Sequence, residues 1–571
     1  MNIEILLFKE IVIFPELFLG ISIIYLVLHS TFLAIQKKYP LIQSSVLYLS
    51  ILVLIFASFL VYNEHLNSVE MSCLNNTYVS DYISFISKIV IGSLSVFCLL
   101  MMHSYILTQQ INNFEYFLLF LFSVLGLFLL CSSNDLLTAY LAIELQSLSF
   151  YVLAAFKKNS TFSVDAGIKY FILGAFASSM FLFGSSLLYG LTGSVSFDDF
   201  QVLFVNTFPG QPVDNISFYE VLEESFHDTC YSVCVTYPDL IWLFSTEIGT
   251  IFSIFDCQYD VRETYVNFNY LENSIGLDSI LNSSFDVSLI KFALIFILIA
   301  LFFKLTIAPF HIWAPDVYEG SPSSSTFFFS VVPKLAIFVL LIRIFYFSFY
   351  GFVDSWRHFI ILTVIFSVII GSFGGLNQRK LKTLLVYSTI SHMGYSLIAF
   401  SAGTFESLQM LFSYLIVYSF SGLCIWSIFM STQLKNTYTQ KQNKDLTDLV
   451  LLGKSNYMLA IFFTTVLFSV AGFPPMIGFL VKMGVFLTAM EASMYFVALV
   501  SILCSVVGTF YYIRLIKILY FEKVLVGKLY HPINSQSSVL ITLLFFLFLF
   551  LFCNPTLLFL VSQKLSLLIF F

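Results

Sequence analysis

Apolar runs about 20 residues long, the length that crosses a bilayer as a helix, recur along nearly the whole chain and are separated by short polar or charged loops. Fourteen are counted, at 11–35, 44–62, 83–107, 114–132, 136–156, 166–190, 288–317, 324–349, 357–376, 381–401, 407–431, 455–489, 494–520 and 537–570, with Asn554-Pro555 interrupting the last. Two of them, 288–317 and 455–489, are too long for one straight span, and each carries two prolines and a lysine. Pro309 and Pro315 in the first, and Pro474 and Pro475 in the second, remove helical hydrogen bonds and leave carbonyls unpaired. That is tolerable at membrane depth only where the helix is buried in protein or lines a wet cavity. Lys304 precedes its break and Lys482 follows its break, the order expected of inverted repeats. The pattern predicts an all-α polytopic membrane protein of about fourteen transmembrane helices, two of them broken.

Composition agrees. The chain is 59% hydrophobic and 10% charged, with mean hydropathy +0.93, which excludes an ordinary soluble domain. Its first partner is the lipid bilayer, and no nucleic-acid partner is expected. The start, "MNIEILLFKE", has no basic n-region and no Arg/Ser-rich character, so synthesis inside the compartment of use is expected. Charge then orients the spans. Loops at 36–45, 157–164, 377–382, 432–454 and 514–528 are basic, and a fourteen-span count puts them all on one side. The alternate loops hold Glu64, Glu70, Asp81, Asp135, Asp354, Glu406 and Glu491. The positive-inside rule makes the basic side the cytosol-equivalent one, with both termini opposite.

Residues 196–286 stand apart, with fifteen Asp/Glu against Arg262 alone, a net of −14 that leaves −7 − (−14) = +7 for the rest. This is read as a polar insertion on the acidic side. Its "LIWLFSTEIGTIFSIF" (240–255) contains Glu247, and a span there would flip every later basic loop, so an interfacial or packed helix is expected. His227, Cys230, Cys234 and Cys257 match no standard zinc spacing, and no metal site is assigned. A disulfide there would need an oxidising compartment, and its connectivity cannot be read.

The candidate chemistry lies in the spans. Glu144 in "LLTAYLAIELQSLSFYVLAAF", Lys304, Lys334 in "FFFSVVPKLAIFVLLI" and Lys482 are ionisable groups at membrane depth, where an uncompensated charge is costly. Lysine suits a proton relay. Desolvation disfavours an ammonium and a nearby carboxylate favours it, so moving one partner toggles the charge. Glu144 and Lys304 are expected to form such a switchable ion pair. His311 and His392 titrate in the right range, and Lys169 sits near the start of its span; each has a structural reading beside the functional one.

The segments "LLTAYLAIELQSLSFYVLAAFKKNSTFSVDAGIKYFILGAFASSMFLFGSSLLYGLTGS", "FKLTIAPFHIWAPDVYEGSP", "LKTLLVYSTISHMGY", "AGFPPMIGFLVK" and "FYYIRLIKILYF" resemble the antiporter-like proton-pumping subunits of respiratory complex I, in particular the chain 2 family of mitochondrial NADH–ubiquinone oxidoreductase. The likeness covers 114–194 and 288–523, with a weaker match at "FPELFLG" (14–20). It implies that the family's proton-path residues are Glu144, Lys304, Lys334 and Lys482. It also implies that FMN, iron–sulfur clusters and quinone lie in other subunits, with no cofactor here. Asp165 stands where the family usually has Glu, and Thr383 where a second base usually follows Lys382. The 196–286 insertion exceeds the family's usual loop.

The resulting reading is a complex I membrane subunit that moves protons across the mitochondrial inner membrane, with basic loops in the matrix and the insertion in the intermembrane space. Its partners would be other membrane-arm subunits, with accessory subunits or other respiratory complexes at the insertion. The expected division is 1–110 N-terminal helices, 111–195 with 287–350 as one repeat, 196–286 insertion, 351–525 as the second repeat, and 526–571 a C-terminal helix. A related cation/proton antiporter or plastid subunit shares the fold. A scaffold that has lost pumping is a further rival, disfavoured by the four buried charges. A carrier or receptor made at the endoplasmic reticulum is a rival of another class, to be told apart by glycosylation at Asn215 or Asn282.

Overall fold

The computed structural model describes residues 12–35, 39–67, 71–109, 113–205, 287–435, 440–442, 445–450, 452–522, 530 and 532–570. The chain divides into two units, Met1–Gln201 with Ser288–Phe571, and Val202–Val287. Residues 206–286 fall outside the description. With them go the 240–255 helix, the His227/Cys230/Cys234/Cys257 group and both sequons.

The first unit is built from helices. α1 (Phe14–Ile35), α2 (Tyr39–Asn67), α3 (Tyr82–Thr108), α4 (Glu115–Ser132), α5 (Leu136–Ala154) and α6 (Thr161–Thr192) follow one another, and α7 (Phe197–Val205) comes next in sequence. After 206–286 come α8 (Val287–Leu305), α9 (Trp313–Gly320), α10 (Ser323–Val331) and α11 (Pro333–Ile342). Then follow α12 (Val353–Leu376), α13 (Leu381–Ala402), α14 (Phe405–Ser431), α15 (Tyr457–Ala471), α16 (Ile477–Glu491), α17 (Tyr495–Tyr520), α18 (Ser535–Cys553) and α19 (Thr556–Phe570). Two small hairpins, β1–β2 (Met71–Cys73, Tyr78–Ser80) and β3–β4 (Gln433–Lys435, Gln440–Gln442), close loops.

Among the described residues twelve helical segments are long and apolar enough to cross a membrane. Among the described residues the fourteen apolar runs are largely helical, but several differ from simple spans. α13 has a span's length, yet Ser388, Thr389, Ser391, His392 and Ser396 lower its hydropathy. The 455–489 run is two helices of 15 residues each, α15 and α16. The 537–570 run divides at Asn554 into α18 and α19, because Pro555 cannot donate into the preceding ladder. The expected single C-terminal helix is therefore a pair.

Ser323–Ser348 is the innermost segment, buried along its length. It is not one regular helix: Pro333 opens α11, and Arg343–Ser348 turns as a π-helix. Packing against lipid gives helices no hydrophobic drive to associate, so close backbone approach matters more. Gly126 on α4 shows this: a Cβ there would meet Gln146 N at 2.9 Å on α5. Gly371 of α12 likewise meets Ser391 N of α13 at 2.6 Å. Hydroxyls buried within helices bond to the carbonyl three residues back, as Ser388 does to Leu385 and Ser391 to Ser388. Large apolar side chains such as Ile21, Phe32, Phe176 and Phe546 point outward, as a lipid-facing surface requires.

Ion pairs and hydrogen bonds gather at the two ends of the helices. At one end Lys169 pairs with Asp316 at 2.5 Å, Lys380 with Glu319, and Lys382 donates to Ser321 O at 2.8 Å. This is the basic end. At the other, Arg343 pairs with Asp81 at 2.8 Å, and Asn134 donates to Asp198 at 2.9 Å.

Candidate functional site

The first break starts where α8 stops at Leu305. Thr306 takes φ +64, a left-handed conformation that is an outlier for a β-branched residue. Its hydroxyl bonds to Leu305 O at 2.5 Å. The helix end leaves carbonyls without N–H partners, and side chains take their place. Trp313 Nε1 donates to Phe303 O at 3.1 Å, and Lys334 Nζ donates to Lys304 O at 3.2 Å. Lys334, brought in by α11 and 2% exposed, is thus seated on the backbone of the very residue whose side chain is the second lysine.

Lys304 turns toward α5. Its Nζ lies 3.4 Å from the Tyr151 hydroxyl and 5.6 Å from the ring centroid. Glu144 is seven residues before Tyr151, about two helical turns or roughly 10 Å along the same face. Among the described ion pairs Glu144 and Lys304 do not appear, so the expected direct pair is not formed here. Instead Ser147 stands between, its Oγ 3.4 Å from Glu144 Oε2 and also interacting with Tyr151. The arrangement is a polar file, Glu144–Ser147–Tyr151–Lys304. It opens on a small cavity lined in part by Gln146, Ser147, Lys304, Tyr318 and Lys334.

The second break mirrors the first. α15 ends at Ala471, Gly472 takes φ +87, and α16 resumes at Ile477. Pro474 and Pro475 have no N–H to return to Val470 and Ala471. Lys482 on α16 caps those two carbonyls, at 2.7 and 3.1 Å, and its Nζ stands 5.4 Å from the Tyr395 ring centroid. Beside it a small cavity is lined in part by His392, Tyr414, Tyr418, Ser469 and Lys482. His392 lies at 2.6 Å from Tyr414 Oη through Nδ1 and 3.3 Å from Tyr512 Oη through Nε2.

Each cavity has a buried tyrosine in its wall. Tyr418 lines the second and donates to Ser330 O at 3.1 Å, on the helix that leads into Lys334. Tyr318 lines the first, is 1% exposed, and has no hydrogen-bond partner for its hydroxyl among the described residues. The two rings are electrostatic neighbours. Sequence reading missed these residues because aromatic residues are so frequent here, 18% of the chain, that a functional tyrosine has no signal.

The remaining candidates sit elsewhere. Lys169 is more than half exposed, is held by Asp316 at the basic end, and lines neither cavity. His311 lies half-buried on the break segment, lines neither cavity, and its Nδ1 is without a partner among the described residues. Among the described residues no three His, Cys, Asp or Glu side chains converge as a metal site would need.

The chain was compared with known proteins. A family described as "NADH:quinone oxidoreductase/Mrp antiporter, TM" matches residues 133–221 and 251–508. NADH-ubiquinone oxidoreductase chain 2 of Marchantia polymorpha is 33% identical over 97% of this chain and 98% of that protein. NADH-quinone oxidoreductase subunit N of Pelagibacter ubique is 33% identical over 90% and 89%. Among solved structures, a chain of respiratory complex I from Thermus thermophilus superposes with TM-score 0.69, covering 96% of this chain and 99% of that one at 22% identity, which supports the fold. With the family match running through both lysine-bearing breaks and full-length relatives above 30% identity, the chain belongs to the antiporter-like membrane subunits of NADH:quinone oxidoreductase, in the chain 2 and subunit N branch.

Proposed function

We propose that this chain is a proton-translocating membrane subunit of respiratory complex I, driven by electron transfer from NADH to ubiquinone in other subunits. The observation that carries the reading is the pair of buried lysines, each seated on carbonyls freed at a broken helix and each lining a cavity. This reading keeps the division expected from sequence, 111–195 with 287–350 and then 351–525, which would give each repeat one break.

In this reading protons pass along Glu144, Ser147, Tyr151 and Lys304, then to Lys334 through the first cavity. Tyr318 and Tyr418 connect to His392, and Lys482 ends the file. A lysine away from water holds its charge only while carbonyl oxygens or a carboxylate offset the lost hydration. Each seat therefore has two arrangements, and moving the helix ends across the break switches between them. FMN, iron–sulfur clusters and quinone would be held by other subunits. The basic end would face the mitochondrial matrix, and the insertion, with both termini, the intermembrane space, where accessory subunits or other respiratory complexes would dock.

The test uses assembled complex in proteoliposomes, measuring proton uptake per NADH with quinone and NADH oxidation by an artificial acceptor. Lys482→Met and Tyr151→Phe should each lower quinone-coupled proton transfer strongly while artificial-acceptor oxidation per complex persists. Glu144→Gln and Lys304→Met lie on one serial path, so their combination should be much less than additive. Undiminished pumping in Lys482→Met and Lys304→Met complexes would remove the reading.

A further inference from the structure

Arg343 is a buried cation that the relay does not use. It is the first residue of the π-helical turn that follows α11, on the same helical segment as Lys334 and 4% exposed. At a rise of 1.5 Å per residue the two lie roughly 13 Å apart, the lysine at the start of α11 and the arginine at its far end. The guanidinium spans two neighbours. Nε donates to Cys131 O at 3.2 Å, and Nη2 stands 2.8 Å from Asp81 Oδ2. Cys131 belongs to the last turn of α4, where carbonyls have no helical donor, so this bond caps that helix. Asp81 immediately precedes α3, and α3 is itself fixed: Lys88 pairs with Glu16 of α1 at 2.8 Å, both side chains buried. In the same π-helical turn Tyr346 donates to Phe400 O of α13.

The innermost segment needs such a hold. A π turn breaks the regular i→i−4 ladder, so it is a place where a helix can slip by one residue. A slip of that size would move Lys334 by about 1.5 Å and turn it by about 100°. Either movement would take its Nζ off Lys304 O, which it now reaches at 3.2 Å. A guanidinium bonded at two points of its planar fork sets height and rotation together, which a single point contact cannot do. The helix of the other lysine is held in the same manner. α16 carries Lys482 and ends at Glu491, and Arg357 Nη2 of α12 donates to the O of its C-cap, Ala492, at 3.3 Å. We propose that Arg343 is a positioning residue for Lys334. It pins the far end of α11, so that the movement which switches the lysine is confined to the break and returns it to one seat. Arg357 holds the helix of Lys482 likewise. Arg343 lines neither cavity and acts through the helix alone. The role rests on the pumping reading above; the anchor itself stands on the geometry.

The test takes two readouts on assembled complex in proteoliposomes, with artificial-acceptor NADH oxidation counting the complexes. Protons moved per NADH should fall several-fold in Arg343→Gln at an unchanged quinone KM. Arg343→Lys should recover part of the loss, because its ammonium still faces Asp81 but lacks the fork that also reaches Cys131 O. Hydrogen–deuterium exchange is the second readout: the backbone amides of 334–342 should exchange several-fold faster in Arg343→Gln, with those of α8 unmoved. An arginine that only holds the fold together would lower the yield of complex and leave protons per NADH intact in what assembles; that result overturns the proposal. Unaltered exchange over 334–342 overturns it as well. If Arg343→Gln yields no complex, Asp81→Asn decides the matter at the partly exposed partner: the same fall in protons per NADH is expected, and an unchanged value overturns the role. Normal pumping by Lys304→Met and Lys482→Met would remove the pumping reading and the role with it, whereas faster exchange in Arg343→Gln would still report the anchor.

Discussion

Gly472 shows how much one backbone conformation contributes to the site. Its φ of +87 is open to glycine, whereas alanine in that left-handed region costs roughly 1–2 kcal/mol. A Cβ there would also stand 3.0 Å from Lys482 Cδ and 3.4 Å from Nζ, pressing on the lysine's seat. Gly472→Ala should therefore destabilise the complex by about that amount and lower quinone-coupled turnover, measured together with thermal stability on equal amounts of assembled protein. A variant with full coupling and an unchanged thermal midpoint would separate the backbone turn from the function. The lysines were legible in the sequence because charge is scarce in a chain with 10% charged residues. Their partners were not. Lys482 binds carbonyls and Lys334 the backbone of Lys304, and a carbonyl has no letter in a sequence. The expected Glu144–Lys304 pair missed for a related reason: residue type shows who carries charge, while helix rotation decides that Tyr151 receives the ammonium.

The two half-helices of the second break must approach closely, and glycine permits it. A Cβ on Gly478 would lie 2.0 Å from Ser469 O, a backbone atom with no room to retreat. Gly478→Ala should cost at least the 1–3 kcal/mol typical of overpacking and reduce the yield of assembled complex. Gly190, near the lipid-exposed end of α6, has nothing within 4 Å of its Cβ position. Gly190→Ala should be neutral or stabilise by up to about 1 kcal/mol through helix propensity. The two thermal midpoints, measured side by side, check the contrast, and equal values would show that the approach at Gly478 is not tight. Spans and breaks were the easiest elements to read, since length, hydropathy and proline act locally. The polar residues of α13 shifted the count, while the division at Asn554 follows from Pro555, which the sequence shows directly.

The acidic end ties distant parts of the chain together, and it carries a pH signature of its own. Asp135, just before α5, is buried beside Asp198 and Asp199. Burial first, then those two charges, pushes its carboxyl up from 3.8 to about 6. Because an unfolded chain would release that proton near 3.8, the folded protein binds more protons between about pH 4 and pH 6. Asp135 then contributes stability at low pH that is lost as pH rises through that window. Asp135→Asn should flatten the fall in thermal midpoint across it, and an unaltered slope in a pH series would contradict the assignment. This seam, like the Glu16–Lys88 pair, joins residues far apart in sequence, so no local pattern announces it. The outward-facing surface has the opposite property. Phe32, Phe162, Phe176, Phe496 and Phe546 all stand exposed there, among 69 phenylalanines in the chain. Hydrocarbon tails distinguish poorly between phenylalanine, leucine and isoleucine, so exchanging one of these for another on that side should leave the fold and its packing unchanged, a tolerance the buried glycine contacts do not share.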